Sequence, residues 1–137
     1  MSDDSVNKDE LSMETRERLG DVRNHLLQLH KMMMDVEKDA YESEHGKIAS
    51  PHAFLNLLLN DPWFGWLRPV SEMVVHIDEF LEQREPGTEA TGQDLLREVR
   101  SLLNPVEDGE EFGVRYLRVM QNQPDIILKH AEVEKLL

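Results

Sequence analysis

Six histidines and 28 acidic residues are the side chains with which this chain could bind metal or move protons. Cysteine is absent, which removes disulfides, thiolate metal sites and thiol nucleophiles. Arg23, His30 and Glu37 recur at a spacing of seven. That is close to two helical turns, so on a helix the three share one side. Late in the chain, His130 shares a row with Ile126, Val133 and Leu137. A buried His near a buried Glu can ligate a metal or exchange protons. His30, Glu37 and His130 are therefore the candidate metal- or ligand-binding residues. The competing reading is a satisfied structural hydrogen-bond network, or long side chains reaching to solvent.

Two further pairs have ligand spacing. Glu42 and His45 form an ExxH, the pair used by ferritin-like di-iron bundles. That site needs a second ExxH and two more glutamates, and no second ExxH occurs. Glu72 and His76 stand four apart and read as a solvated helix pair. There is no glycine-rich phosphate loop, nucleophile elbow or HExxH. The sequence leans away from an enzyme and names no catalytic residue and no cofactor.

A second group of residues suits binding to protein. Both tryptophans lie in Asp61-Pro62-Trp63-Phe64-Gly65-Trp66-Leu67-Arg68-Pro69. Trp, Phe and Arg are the usual anchors of interfaces. Trp63 and Trp66 fall on an apolar line and are expected inside. Phe64 and Arg68 fall off it and are the candidate partner contacts, together with Met32, which lies outside the apolar stripe of its helix.

The elements that must position these residues read as helices. Leu19, Val22, Leu26, Leu29, Met33, Val36 and Ala40 alternate spacings of three and four, a heptad stripe about 30 Å long. This first helix starts near Lys8 to Met13 and ends near Glu44, with His45-Gly46 as its stop. Gly20 sits inside it against helix propensity. Ser50-Pro51 starts a second helix to Asn60 that is apolar nearly all round, which places it at the centre of the core. A third runs from Asp61-Pro62 to Leu81, kinked at Pro69. A fourth is capped by Thr91, a fifth by Asp108, and a last one begins near Pro124 as a lid or extension. No segment alternates like a strand. Short loops favour antiparallel neighbours. The expected fold is all-α, an antiparallel up-and-down helical bundle of four main helices plus one or two short ones. It occupies residues 11–137, behind a disordered acidic tail at 1–10.

The balance of 15 basic and 28 acidic residues gives a net charge of −13. It disfavours nucleic acid and anionic lipid as partners. Met1 to Glu10 lack the pattern of a secretory signal, and no apolar run is long enough to span a bilayer. The expectation is a cytoplasmic protein.

Ser50 to Phe80, with Leu57 to Asn60, Asp61-Pro62-Trp63-Phe64, Trp66-Leu67-Arg68-Pro69, Ser71-Glu72 and Ile77-Asp78-Glu79, resembles a family of small uncharacterised bacterial proteins. The tail Pro124-Asp125-Ile126-Ile127-Leu128 with His130 is similar too. The resemblance implies a bacterial all-helical protein and carries no activity. The function expected is a non-catalytic interaction or regulatory role with self-association, the partner being another protein or a second copy. The alternative is a metal- or small-ligand-binding bundle.

Overall fold

The computed structural model describes residues 9–106 and 109–137. Seven helices make up the described part: α1 Met13–His45, α2 Pro51–Asn60, α3 Pro62–Gly65, α4 Arg68–Glu82, α5 Glu89–Leu102, α6 Glu111–Asn122 and α7 Pro124–Glu134. The protein is all-α, and none of the described residues belongs to a β-strand; the nearest approach is an isolated bridge between Glu10 and Thr88. Among the described residues no helix is long and apolar enough to cross a membrane. The expected tail lies, for residues 1–8, outside the described residues, as does the Asp108 cap.

Local chemistry explains the boundaries. Ser12 caps α1 by accepting the amide of Thr15 at 3.1 Å. Gly46 ends it with φ 88°, a conformation that suits glycine, and donates its amide to the Glu42 carbonyl. Ser50 caps α2 through the Ala53 amide, with Pro51 in the first turn. The cap of α5 is Thr88, accepting from Thr91, rather than Thr91 itself. Glu89 and Ala90 lie outside the apolar periodicity of the rest, so periodicity alone places the start of this helix too late.

The helix expected from Pro62 to Leu81 is two helices. Asp61 caps the single turn α3, residues 66 and 67 form a turn, and α4 starts at Arg68 with Pro69 in its first turn. Proline is tolerated there because the first-turn amides have no helical acceptor. Pro69 therefore starts a helix and kinks none.

The heptad stripe of α1 is the spine. Leu19, Val22, Leu26, Leu29 and Met33 are buried against Val70, Met73, Val74 and Ile77 of α4, the Leu95–Val99 face of α5, and Ile126 and Val133 of α7. Fully burying such a side chain contributes about 1.5–3 kcal/mol. Arg16 reaches the Leu81 carbonyl, Arg23 meets Asp78, and Glu37 meets Trp66. Rising numbers on α1 against falling numbers opposite make α1 and α4 antiparallel. α7 packs along α1 and α6, and is a wall of the core rather than a lid.

α2 is not at the centre. None of its residues is buried, and its main neighbour is α3. The positions beside the spine are taken by α4, α5 and α7, and the segment 46–50 brings α2 alongside the last turns of α1, where the Lys38 ammonium sits over the Phe54 ring. The helix is apolar nearly all round and yet peripheral.

Candidate functional site

The polar line on α1 resolves into separate contacts. The Arg23 guanidinium grips Asp78 through two bonds of 2.8 and 3.1 Å, which raises the arginine further above its ordinary value. Glu37 Oε1 accepts the indole N–H of Trp66 at 3.1 Å. His30, between them, is half-buried, and desolvation lowers its pKa and favours the neutral ring. Arg23 ties α1 to α4, and Glu37 ties it to the turn at residues 66–67. They do not converge on a shared point.

His130, on α7, makes contacts separate from that line. It is 7% exposed on α7, in the buried row that also holds Ile126 and Val133. Its Nδ1 is 2.6 Å from the Tyr116 hydroxyl and its Nε2 is 2.9 Å from Glu134. The carboxylate only accepts, so Nε2 carries a proton, and in the neutral ring Nδ1 accepts the phenolic O–H. Tyr116 is fully buried; desolvation first, and the charge of Glu134 second, push the phenol above its ordinary value. A phenol held protonated in a packed core is no nucleophile, so the trio fastens α7 to α6. Lys129, next in sequence and nearly as buried, donates to His25 Nδ1 at 2.8 Å and to Gln28, fastening α7 to α1. Sequence reasoning missed Tyr116 and Lys129. Their partners lie on other helices, and no spacing within one helix announces them.

The ExxH pair is also committed elsewhere. Glu42 Oε2 accepts the Ile48 amide at 2.7 Å, while the His45 ring stacks on Tyr41 at 4.2 Å. Glu72 and His76 are exposed on α4, as a solvated pair should be. Among the described residues no three His, Asp or Glu side chains are gathered as a metal ion requires.

Of the partner-contact candidates, Arg68 is exposed and reaches the Leu59 carbonyl at 3.4 Å. Met32 is half-buried against the core. Phe64 is only 2% exposed, against expectation, and touches Phe54 and Tyr41, while Trp63 is half-buried instead of enclosed. The turn at 66–67 resets the helical phase, so a wheel drawn continuously from Pro62 pointed Phe64 the wrong way. The indole N–H of Trp63 is buried without a hydrogen-bond partner among the described residues.

The exposed chemistry gathers instead around α2. At 100° per residue its circumference divides in three. Phe54 and Leu58 face inward, Phe54 lying edge-on to Phe64 with the Lys38 ammonium over its ring. Leu55 and Leu59, 51% and 62% exposed, form an outer row. Ala53, Asn56, Leu57 and Asn60 line an open cleft of about 580 Å³, whose other walls are Tyr41, His45 and the segment Gly46–Ala49. Comparison with protein-family models, curated proteins and solved structures finds no match to this chain.

Proposed function

We propose that this chain is a non-catalytic protein-interaction module of the cytoplasm, an antiparallel bundle built on α1, that self-associates through the outer row of α2. The observation that carries the reading is the exposure of Leu55 and Leu59, one turn apart, on a helix with no charged residue from Pro51 to Asn60. In a chain of net charge −13, most of the surface repels a second copy. α2 is where two copies meet without bringing carboxylates together. Other large exposed apolar side chains, Met13, Leu27, Val75, Ile127 and Leu128, sit on helices that also carry acidic residues.

A ten-residue helix is about 15 Å long, short for a standard interface of roughly 800 Å² per partner. The association is correspondingly weak and depends on concentration. Light scattering across a concentration series tests it. The average mass should climb toward twice that of the chain, and the double substitution Leu55→Glu with Leu59→Glu should hold it at one chain with the helical circular dichroism unchanged. Both positions are exposed, so the substitutions leave the core intact. A strict monomer at every concentration counts against the proposal.

A further inference from the structure

We propose that the cleft between the end of α1 and α2 binds a small, flat, uncharged molecule with an amide-type edge, such as a pyridine carboxamide or a pyrimidine base. The cleft is a third face of α2, separate from the Leu55/Leu59 row, so the inference stands apart from self-association.

Its size is the first argument. About 580 Å³ lies within the range of small-molecule sites, roughly 300–1,000 Å³. Its walls are held in place. The segment after α1 is fixed by the Gly46 amide on the Glu42 carbonyl and the Ile48 amide on the Glu42 carboxylate, at 2.9 and 2.7 Å. The aromatic wall is the Tyr41–His45 stack, with Trp63 edge-on to both rings at 5.5 Å.

The polar groups then define the ligand. Asn60 donates to the Asn56 carbonyl at 3.1 Å, which aligns the two carboxamides. That bond leaves the Asn60 carbonyl to accept, and the Asn56 amino group to donate. A ligand edge carrying an N–H beside a carbonyl satisfies both. His45 Nδ1 lies 3.2 Å from the Tyr41 carbonyl, which only accepts, so Nδ1 carries the proton. In the neutral ring Nε2 is then an acceptor for a second ligand N–H. Formal charge along the cleft is balanced: one lysine, Lys47, and one aspartate, Asp61, whose carboxylate already caps the Trp63 amide. The sum of formal charge therefore selects neither an anion nor a cation.

The experiment titrates the full, isotope-labelled chain with nicotinamide and with uracil, following backbone amide resonances. Benzoate and cyclohexanecarboxamide are the comparators, one flat but anionic, the other an amide without a flat ring. The expected result is saturable shifts at Tyr41, His45, Asn56 and Asn60 with either flat amide, at least about tenfold weaker with both comparators. Asn56→Leu and Asn60→Leu are on exposed positions and keep the fold; each should weaken nicotinamide by about tenfold. The Leu55→Glu, Leu59→Glu chain should bind as the parent does. The proposal is overturned if neither flat amide moves those resonances, if all four compounds move them alike, or if the leucine variants bind undiminished.

Discussion

At the first turn of α5, the Glu89 carboxylate accepts the Thr15 hydroxyl at 2.6 Å, the Ser12 amide at 2.9 Å and the Gln93 side chain at 3.0 Å. These bonds, that from Thr15 foremost, hold its pKa at about 2, below an ordinary 4.5. A depressed carboxylate contributes stability that is fully present above the unfolded value and disappears as pH falls through the folded one. The clasp between α1 and α5 is therefore at full strength at neutral pH and fades between about 4.5 and 2. Glu89→Gln should be less stable than the parent in urea melts at pH 7, and the gap should close across that acid window. A gap that persists at pH 2 would contradict the assignment. Nothing in the sequence around Glu89 announced the clasp, because its partners Ser12 and Thr15 belong to another helix. The same limit applied to His130: its buried row was legible, whereas Tyr116 came into reach only through the packing of α6 on α7.

The helices were legible wherever one apolar face met one cap. The stripe from Leu19 to Met33 and the boundaries at Ser50-Pro51 and Gly46 appear in the structure as the periodicity and capping chemistry indicate. Two things escaped. Periodicity cannot tell a helix surrounded by core from one merely free of charge, so by itself it points α2 to the centre. A proline marks a discontinuity without fixing its phase, so periodicity does not reveal the turn at residues 66–67 and points Phe64 outward. Glycine separates propensity from packing on the same scale. Gly20 lies inside α1 with open space where a Cβ would stand. Gly20→Ala should therefore stabilise the chain by about 0.5–1 kcal/mol through helix propensity alone. Gly92, inside α5, faces the Leu11 and Thr15 side chains, and an added Cβ would lie 2.7 and 3.1 Å from them. Gly92→Val adds two further methyl groups at this contact, so the Leu11 and Thr15 side chains must shift, and it should cost about 1–3 kcal/mol. Thermal melts of the two variants should move in opposite directions. A gain for both would mean that the Leu11 and Thr15 side chains make room at little cost.

For the whole molecule, the net charge of −13 and the neutral α2 make a joint prediction about salt. Ion pairing between copies would weaken as salt rises, because screening removes attraction. Two copies meeting through Leu55 and Leu59 behave oppositely: the contact itself is apolar, and what opposes it is repulsion between the acidic remainders. Raising salt from about 0.01 M to about 1 M shortens the Debye length from roughly 30 Å to roughly 3 Å. The repulsion lies within the first distance and mostly outside the second, so self-association should strengthen along that series. Sodium chloride is a suitable salt because sulfate also strengthens apolar burial directly. Sedimentation at fixed protein concentration should show the dimer fraction rising with salt for the parent chain and staying near zero for the Leu55→Glu, Leu59→Glu chain. If the dimer weakens with salt, its interface is charged and lies away from α2. If both chains associate equally at high salt, apolar residues elsewhere, such as Ile127 and Leu128 on α7, form the contact.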